Sequence, residues 1–530
     1  MTSDGSRPGP AAPEDGWTGG HNPWVIAVVV SMATFMEVLD TSIANVSLPH
    51  IAGDLSVTLE QGTWILSSYL IANAVVLPIS GWLADRLGRK RFYMGCVALF
   101  VVSSFLCGIA PSLEWLVLFR VLQGIAGGGL APCEQAILID TFPRTKRGGA
   151  MAVYSVAVLI APAIGPTLGG YITEHFSWRW IFFINIPIGL ASLLLTGRLV
   201  SDPPHLRHRP GRAAPIDGIG LGLIAVGLGC LELVLDKGQQ EDWFHSGTIV
   251  ACTVVAIVCL VTLVAWEWRT RHPIIDVRLF RDRTVAIAFV LMVVVGFLLF
   301  APLVLLPAFE QSLMGYTPQL AGQTMSPGAI SLIFLTLLVG GLVARVDPRK
   351  LVVVGGLLLV TSHVYMAGRL HVGVDFQTLL FMRIFQVAGL AFLFVPINTL
   401  VYASAPRDKN NAIAAIMNLG RNLGGSLGVA FVATTVARQA QVHQAALAEH
   451  TNHYNPAFTA RLAHLARAHE HSGVSAVDAA NRALAMVYRE VQLQASQLAY
   501  LDVLRLLALA AACLFPLALL MRSPGRRPGT

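Results

Sequence analysis

Residues Gly81 to Phe92 read Gly-Trp-Leu-Ala-Asp-Arg-Leu-Gly-Arg-Lys-Arg-Phe, a charged turn between two long apolar runs. A short loop with four basic residues indicates the cytoplasmic side of a membrane, because basic residues concentrate in cytoplasmic loops. An earlier apolar segment, Phe35 to Pro49, contains Glu37 and Asp40. Carboxylates at membrane depth are costly and indicate a functional site. Together the two segments predict a proton-driven transporter.

The composition indicates a multi-pass membrane protein. Of the 530 residues, 55% are hydrophobic and 13% are charged, whereas soluble proteins carry about 25% charged residues. The net charge of +7 does not indicate nucleic-acid binding, because the basic residues lie in short loops between apolar runs. Residues 1–22 are rich in Gly and Pro, and no small-residue cleavage site follows the first apolar run. The first span is therefore expected to remain as an anchor.

The cysteines predict neither a disulfide framework nor a metal site. All seven lie within apolar runs, and none pairs at metal-ligand spacing. We expect them to be small core side chains.

Apolar runs of membrane-spanning length recur along almost the whole chain, which predicts an all-α polytopic protein. We place fourteen spans at 24–46, 61–82, 93–111, 114–136, 149–172, 180–198, 217–236, 248–268, 285–309, 319–344, 351–368, 377–402, 411–437 and 500–521. If the Gly81–Phe92 turn is cytoplasmic, most of the loop arginines and lysines lie in cytoplasmic loops. The short loops on the other side of the membrane hold Arg179, Lys237 and Arg369. Both termini are thereby predicted to be cytoplasmic.

One outer loop, residues 438–499, is long, polar and helix-prone. It breaks at Asn455-Pro456, and a serine start at Ser475 precedes a second helical run. Two interpretations stay open, a binding surface or a merely solvated helical hairpin. Its histidines, which include the pair His450 and His453, are expected to be solvated, since no carboxylate or cysteine completes a metal-ligand set.

The chain contains a degenerate internal repeat. The turn that begins at Gly81 recurs after Gly341, and Arg120-Val-Leu-Gln123 recurs as Arg383-Ile-Phe-Gln386. Internal repeats are common in transporters and predict a substrate cavity between the repeated halves. We therefore divide the chain into a cytoplasmic tail at 1–23, an N-terminal six-helix half at 24–198, a linker with two inserted spans at 199–284, a C-terminal six-helix half at 285–521 that includes the outer loop 438–499, and a tail at 522–530.

Asp40 and Arg120 are the strongest candidates for proton coupling. Counted from the outer ends of their spans, Asp40 lies roughly 10 Å and Arg120 about 9 Å inside the membrane. Because a lone buried ion is costly, we expect the two to be in contact. The functional interpretation is a protonation switch, and the alternative is a static ion pair. Glu37 shares the Asp40 face of span one and is a second proton site or a counter-charge for the substrate.

Span five and the cytoplasmic turn are predicted to be mechanical elements. Span five contains Pro162, Gly165, Pro166, Gly169 and Gly170, which predict a bend and a close helix contact in one place. In the turn, Asp85 is expected to accept hydrogen bonds from a helix start or to pair with Arg89 or Arg91. The turn would then act as a cytoplasmic gate, or it is a topology signal alone. The gate candidates are Gly81, Asp85, Arg86, Gly88, Arg89 and Lys90.

Further polar residues within spans are candidates for the cavity. They are Gln123, Glu134, Glu310, Arg383, Gln386 and Arg421. Arg383 and Arg421 either pair with Glu310 or Asp40 or favour an anionic substrate. Glu134 lies near the inner end of span four and either faces the cavity or snorkels to the membrane interface.

These motifs resemble those of a known family. Arg120-x-x-Gln-Gly, Gly165-Pro166-x-x-Gly-Gly and the turn at Gly81 are similar to motifs of the major facilitator superfamily. Leu39-Asp40-Thr-Ser-Ile-Ala-Asn-Val-x-x-Pro49 resembles the first-span motif of its fourteen-span drug:proton antiporters, and the span-five string resembles that of exporters. The likeness covers nearly the whole chain. Three further strings resemble EmrB-type multidrug pumps, namely Gln61-Gly-Thr-Trp64, Trp180-Ile-Phe-Phe-Ile-Asn185-Ile-Pro187 and Leu235-Asp236-Lys-Gly.

The resemblance implies a pump of the bacterial inner membrane that exports hydrophobic or amphipathic toxic compounds in exchange for protons and has no cofactor. It also implies a periplasmic membrane-fusion adaptor and a TolC-like outer-membrane channel as partners. The alternative is a dedicated exporter of one metabolite, siderophore or lipid-like compound. An enzyme or a receptor is disfavoured, because the sequence shows no catalytic cluster and no signalling domain.

Overall fold

Helices form all the regular secondary structure in the described ranges of this computed structural model, which are residues 20–143, 146–202, 217–270, 273–343, 345–404 and 409–520. The first ten helices are α1 Pro23–Asp54, α2 Leu59–Gly62, α3 Trp64–Val76, α4 Ser80–Leu87, α5 Arg89–Gly108, α6 Leu113–Gly127, α7 Leu130–Thr141, α8 Arg147–His175, α9 Trp180–Phe183 and α10 Asn185–Leu199. The two inserted helices are α11 Gly218–Lys237 and α12 Gly247–Arg269. The remaining helices are α13 Arg283–Ser312, α14 Pro318–Leu342, α15 Pro348–Arg369, α16 Phe376–Ser404, α17 Asn410–Ala448, α18 Pro456–His471, α19 Ala476–Ala512 and α20 Leu514–Leu520.

Helices occupy each of the fourteen predicted positions, but not all of them are long and apolar enough to count as spans by themselves. In the described ranges, eleven helices satisfy both conditions, or twelve when the bent α8 counts as one span. Helix α3 is shorter than a bilayer requires, and α17 carries Asn418, Arg421 and Asn422 in its interior. The all-helical fold is thus confirmed, and the count of fourteen stays a prediction.

The helices pack into two groups that correspond to the repeated segments, and we use the predicted limits 24–198 and 285–521 to name them the N-terminal and C-terminal halves. In the N-terminal half, α1 packs on α8, α10 and α7, and α6 packs on α3 and α5. In the C-terminal half, α13 packs on α17, and α16 packs on α14 and α15. Helix α8 packs along α14, and this is the main contact between the halves.

The inserted helices lie against the outside of this core. Helix α11 packs on α3 and α12 and also reaches α17. Helix α12 is the most exposed apolar helix of the set, and Val254, Ile257, Val258 and Val261 all point outward. An apolar surface of this kind is suited to lipid contact.

The outer loop forms a helical hairpin that continues the spans on both sides of it. Helix α17 runs past the predicted span end at residue 437, and α19 begins well before the predicted span start at residue 500. The predicted break at Asn455-Pro456 and the predicted start at Ser475 are both present, and the side chains of Asn455 and Ser475 accept hydrogen bonds from the first turns of α18 and α19. Leu465 of α18 packs on Ala483 and Val487 of α19.

A surface ion pair and one partly buried histidine add detail to this hairpin. Arg461 of α18 donates to Glu490 of α19 at 2.6 Å, and this contact raises the pKa of Arg461 above its ordinary value. His443 is partly buried and lies 2.7 Å from Asp502, so it is not a fully solvated histidine. Within the described ranges, no group of three metal-binding side chains could hold an ion.

The cysteines differ in burial, whereas all seven were predicted to be core side chains. All seven are free thiols, but Cys96, Cys107 and Cys133 are the buried ones, and Cys513 is exposed on the apolar surface of the last span.

Candidate functional site

Asp40 lies in the core of the N-terminal half with only 1% of its side chain exposed. Its Oδ2 accepts a hydrogen bond from Arg120 Nη1 at 2.5 Å, and its Oδ1 accepts from Gln123 Nε2 at 3.0 Å and Asn185 Nδ2 at 2.6 Å. Ser104 lies behind both amides and accepts from each of them. The ionised carboxylate therefore meets one cation and two neutral N–H donors, which is a well-matched environment for a buried charge.

Arg120 is fully buried and is held on several sides. Its Nε donates to the carbonyl oxygen of Ile65 at 3.0 Å. Its guanidinium lies 4.3 Å from the ring centre of Tyr69 and 5.8 Å from that of Phe182. Rings at these distances stabilise a cation through their negative faces. The contact that the matching depths of Asp40 and Arg120 predict is therefore present in the structure.

Tyr69 connects this pair to Glu37, the second acid of span one. The Tyr69 hydroxyl lies 3.4 Å from Glu37 Oε1, which also accepts from Asn73 Nδ2 at 2.9 Å. Glu37 Oε2 is buried and has no hydrogen-bond partner among the described residues. Glu37 thus has two neutral donors from α3 and, among the described residues, no cation in hydrogen-bond contact, in contrast to Asp40.

Glu134 does not snorkel, and that alternative is wrong. Its side chain is fully buried and accepts a hydrogen bond from the Ser31 hydroxyl of α1. The reason is that α7 packs against α1 and α17 at this level, so the side chain has no path to the interface. Glu134 Oε2 has no partner in the described part of the chain, and the residue remains a candidate for the cavity.

Span five bends where its prolines predict, and it touches α1 immediately after Asp40. The segments Arg147–Pro162 and Ile164–His175 of α8 meet at an angle of 42°. Because Pro166 has no N–H, it leaves the carbonyl of Pro162 without its helical partner. The Ser42 hydroxyl donates to that carbonyl at 3.0 Å.

The glycines of span five explain how close this contact is. A Cβ on Gly165 would lie 2.3 Å from Ser42 Oγ, and one on Gly169 would lie 3.0 Å from Ile43 Cγ2. Gly170 is buried in the same turn. The bend and the close approach are thus both present, and they join α8 to the helix that carries the acid.

The C-terminal half repeats the arginine–glutamine pair of this site. Arg383 donates to Gln386, as Arg120 does to Gln123. In the described ranges no direct ion pair joins Arg383 to Glu310 or Asp40, but Arg383 and Glu310 are close enough to interact electrostatically, so both alternatives for Arg383 stay open. Glu310 instead accepts from the Thr324 hydroxyl, at 3.0 and 2.7 Å to its two oxygens. The arginine–glutamine motif is therefore repeated, but among the described residues a carboxylate contacts the arginine directly only in the N-terminal half.

Arg421 lies at the contact between the halves and has no carboxylate in hydrogen-bond contact among the described residues. Its Nη1 donates to the Tyr154 hydroxyl of α8 at 3.1 Å, and its other nitrogens contact Asn422. No ion pair joins Arg421 to Glu310 or Asp40 in the described ranges. A buried cation with neutral partners leaves both earlier interpretations open, namely packing or attraction of an anionic substrate.

Buried polar side chains also close the cleft on the predicted cytoplasmic side. Gln135 Oε1 of α7 accepts from the Tyr402 hydroxyl and from Asn418 Nδ2, both at 3.0 Å. The Tyr154 hydroxyl lies 3.1 Å from Asn418 Oδ1. These contacts join α7 and α8 of one half to α16 and α17 of the other, so they must change if the cleft opens on this side.

The second part of the cytoplasmic turn is bonded to α7, to α10 and to the start of the linker that follows α10. Gly88 has a φ of +86°, which favours glycine, and it separates α4 from α5. Arg89 contacts Asp140 of α7, whereas the predicted partner Asp85 has a side chain outside the described part of the structure. Lys90 donates its backbone N–H to Asp202 and its Nζ to the Gly197 carbonyl.

The other two gate candidates face different ways. Gly81 lines a small cavity with Ile275, Ala412 and Ile416, so the start of the turn lies against α17 of the C-terminal half. Arg86 is exposed, and its guanidinium lies 5.3 Å from the Trp82 ring centre.

Sequence reasoning missed several members of the Asp40 environment. Ser104 and Asn185 belong to the Asp40 network, Tyr69 and Asn73 contact the neighbouring Glu37, and all four lie in other spans. The signal available was the presence of Asn73 and Asn185 within long apolar runs, since an amide in a span needs a polar partner.

Comparisons with known proteins agree with this architecture. The family model described as Major Facilitator Superfamily matches residues 30–429. The chain belongs to the major facilitator superfamily. Solved structures of superfamily members share its fold, including the proton:xylose symporter XylE, with a TM-score of 0.59 at 14% identity over 94% of this chain and 97% of that one.

Within the superfamily, the chain groups with EmrB-type proteins. It is 37% identical to the multidrug export protein EmrB of Haemophilus influenzae, over 82% of this chain and 84% of that protein. It is equally similar to EmrB of Escherichia coli K12. It is also 38% identical to the fatty acid resistance protein FarB of Neisseria gonorrhoeae, over 84% of this chain and 86% of that protein. Family and fold thus indicate a membrane transporter rather than an enzyme.

Proposed function

We propose that this superfamily member is a proton-coupled antiporter of the bacterial inner membrane that exports hydrophobic or amphipathic toxic compounds. The observation that carries the proposal is the buried Asp40 carboxylate, which is held by Arg120 and two amide donors. The similarity to the EmrB multidrug export proteins supports the substrate class. The proton gradient supplies the energy, and no cofactor is needed.

The donor set explains how a proton on Asp40 would move the helices. The three groups that contact Asp40 all donate N–H. A protonated carboxyl carries an O–H of its own, so it needs an acceptor and weakens its contact with the guanidinium. A buried acceptor without a partner is close by, because Asn185 Oδ1 makes no hydrogen bond with the described residues. Protonation therefore favours a different arrangement of α1, α6 and α10.

A route from this site to the other half runs through span five. Ser42, two residues after Asp40, is bonded to the bend of α8. On the next turn of α8, the Thr167 hydroxyl lies 3.3 Å from the Ser326 hydroxyl of α14. Because helices at such close contact transmit displacement rather than absorb it, a shift of α1 is passed to the C-terminal half.

Proton coupling is tested with Asp40→Asn in proteoliposomes, where efflux and proton flux are followed together. The variant keeps the shape and loses the titrating group, so it should retain membrane insertion and lose proton-driven efflux. Asp242→Asn removes a largely exposed acid and should transport as the wild type does. Wild-type efflux by Asp40→Asn would reject the proposed role.

The second candidate is a dedicated exporter of one metabolite, siderophore or lipid-like compound. Its support is the similarity to FarB together with the buried, carboxylate-free Arg421. Survival of a deletion strain on matched cationic, neutral and anionic amphiphiles separates the two. Sensitivity to many unrelated compounds favours the multidrug exporter, and sensitivity confined to long-chain acids or one compound favours the alternative.

We also propose that the hairpin of α17, α18 and α19 binds a periplasmic adaptor of a tripartite system that ends in a TolC-like outer-membrane channel. One face of α19 packs against α18, and a second stripe, Val477, Leu484 and Tyr488, is exposed. These residues recur at a helical spacing of seven and four, so they lie on one face. Exposed apolar stripes on an aqueous hairpin indicate a protein partner.

The stripe is tested by copurification with a coexpressed periplasmic membrane-fusion adaptor. Leu484→Gln combined with Tyr488→Gln should lower adaptor recovery several-fold while efflux into proteoliposomes stays unchanged. The matched control, Arg467→Gln with Glu470→Gln on α18, should leave recovery unaltered. Full recovery with the stripe variant would argue against this docking surface.

A further inference from the structure

The inserted helix α11 bridges the two halves through polar contacts within the membrane. It packs on α3 of the N-terminal half and reaches α17 of the C-terminal half. Its last two turns carry Glu232, Asp236 and Lys237. None of these residues belongs to the Asp40 site.

The contacts on the N-terminal side fix α11 in place. Asp236 accepts a hydrogen bond from Ser67 of α3. Lys237 donates to Thr63, and its Nζ lies 5.2 Å from the ring centre of Trp64. With a carboxylate, an ammonium and an aromatic ring engaged, α11 is expected to move together with the N-terminal half.

The contact on the C-terminal side is different, because it consists of one buried acid and one hydroxyl. Glu232 is 4% exposed and accepts a hydrogen bond from Ser426 of α17 at 2.5 Å. It lies five residues before Lys237, or about 7.5 Å below the outer end of α11. It therefore sits in the outer half of the membrane at the junction between the inserted helix and the C-terminal half, which we call the α11–α17 seam.

Among the described residues, no cation compensates Glu232 in this position. On its own helix, Asp236 is the titratable group that acts on it, and its charge is repulsive. The described part of α3 contains no charged side chain near it, and the charges of α12, Glu267 and Arg269, lie at the opposite end of that helix. On α17, Arg421 is more than a turn away from Ser426 and is bonded to Tyr154.

An ionised carboxylate is poorly supported in such a seam. One hydroxyl donor does not replace the hydration of a charge. Glu232 must therefore be neutral in the closed seam, or water must enter the seam to solvate the charge. Once α11 and α17 separate, water solvates the ionised carboxylate of Glu232, and the protonated form is no longer the more stable one. The closed seam and the protonated acid thus stabilise each other.

We propose that Glu232 is a second proton-binding residue, protonated while the α11–α17 seam is closed and ionised when the seam opens. Helix α11 then moves with the N-terminal half, and the protonation of Glu232 controls whether it contacts the C-terminal half in the outer half of the membrane. This inference rests on the proposed proton-coupled transport, which it extends by a second titrating position on the inserted span.

The seam is tested by cross-linking in the full-length protein with its native cysteines replaced. Trp243→Cys and Thr434→Cys form the reporter pair, since Trp243 Nε1 donates to Thr434 Oγ1 at 3.2 Å just outside the seam. A short bifunctional thiol reagent is applied at acid and alkaline pH, and the yield is normalised to labelling of each single cysteine. With Glu232 present, the normalised yield should fall several-fold at alkaline pH.

Matched variants distinguish this proposal from its alternatives. Glu232→Gln should give a high yield at both pH values, and Asp236→Asn should retain the pH dependence. Asp40→Asn should also retain it even where transport is lost, so failure of the seam and failure of the Asp40 coupling site give different results. Unchanged pH dependence in Glu232→Gln overturns the proposal.

Infrared difference spectroscopy supplies a readout that does not depend on cross-linking. In the closed state at acid pH, the wild type should show the carbonyl stretch of a protonated carboxylic acid that Glu232→Gln lacks. Ser426→Ala keeps the acid and removes its donor, so this band should persist and shift. The absence of any difference between the wild type and Glu232→Gln would also overturn the assignment.

Discussion

Asp40 and Arg120 are each an ion removed from water, so each depends on the other for compensation. Both are essentially unexposed, and their contact is made in the middle of a helix bundle. A buried pair of this kind adds little stability relative to a neutral pair of the same shape, but breaking one side leaves an uncompensated charge. The pair is thus better suited to switching than to holding the fold together.

This asymmetry predicts the outcome of a double-mutant cycle. Arg120→Gln should lower the free energy of unfolding by about 3–5 kcal/mol, because it leaves the Asp40 carboxylate without a cation. Adding Asp40→Asn should restore much of that loss. The measurement is unfolding in mixed detergent micelles. Arg461→Gln, which breaks the exposed pair with Glu490, is the control and should cost far less, because solvent screens an exposed pair. Additive effects of the two buried substitutions would contradict the prediction.

The contact between two buried charged residues could be predicted where their depth in the membrane alone decides it. Asp40 and Arg120 could be matched because each position follows from counting along a straight apolar helix. Asn185 and Tyr69 could not be assigned to the same site, since their place depends on how α10 and α3 pack around α1. Glu134 was ambiguous for the same reason, because its burial is set by the neighbouring helix rather than by its distance from the interface.

At the scale of a helix, α8 combines a bend with a contact too close for any side chain. A Cβ at Gly165 would lie 2.5 Å from Ser42 Cβ, far inside van der Waals contact. The backbone of α8 therefore has to move away from α1 if residue 165 gains a methyl group. This displacement occurs beside the acid and along the route to α14.

We therefore predict that Gly165→Ala lowers both stability and transport. Overpacking at such a contact costs about 1–3 kcal/mol. Gly95→Ala on α5 is the matched control, because a Cβ there meets nothing within 4 Å, and it should be neutral or slightly stabilising. Efflux rates and unfolding midpoints are compared for both. Ser42→Gly should partly rescue Gly165→Ala. Normal transport by Gly165→Ala would show that the close contact is not needed for movement.

The helices themselves were largely predictable, whereas their ends were not always so. Pro and Gly mark the bend of α8, and Asn455 and Ser475 mark two helix starts, because these residues act locally on the backbone. The continuation of α17 past residue 437 has no such local mark, since the helix simply passes from lipid into water. The partner of Arg89 was also missed, because Asp140 comes from another helix.

At the scale of the whole molecule, two repeated halves meet along α8 and α14 and are joined by polar contacts on the predicted cytoplasmic side. The internal repeat predicts the halves because their helices share motifs. It does not predict what closes the cleft, since Gln135, Tyr402 and Asn418 come from distant parts of the chain and have no shared pattern. These contacts define the arrangement that has to open for a substrate to enter from the cytoplasm.

The rocking of one half against the other predicts a selective effect of cross-links. With the native cysteines replaced, Gln135→Cys and Asn418→Cys place thiols on opposite halves, where the parent side chains are 3.0 Å apart. A short cleavable cross-link between them should abolish efflux in proteoliposomes, and cleavage should restore the rate of the uncross-linked variant. Ser47→Cys and Thr173→Cys form the control pair within the N-terminal half, where the parent hydroxyls are 2.8 Å apart. Because these positions move together when a half moves as a unit, their cross-link should leave efflux intact. Equal inhibition by both cross-links would mean that transport requires rearrangement inside the N-terminal half rather than rocking between halves.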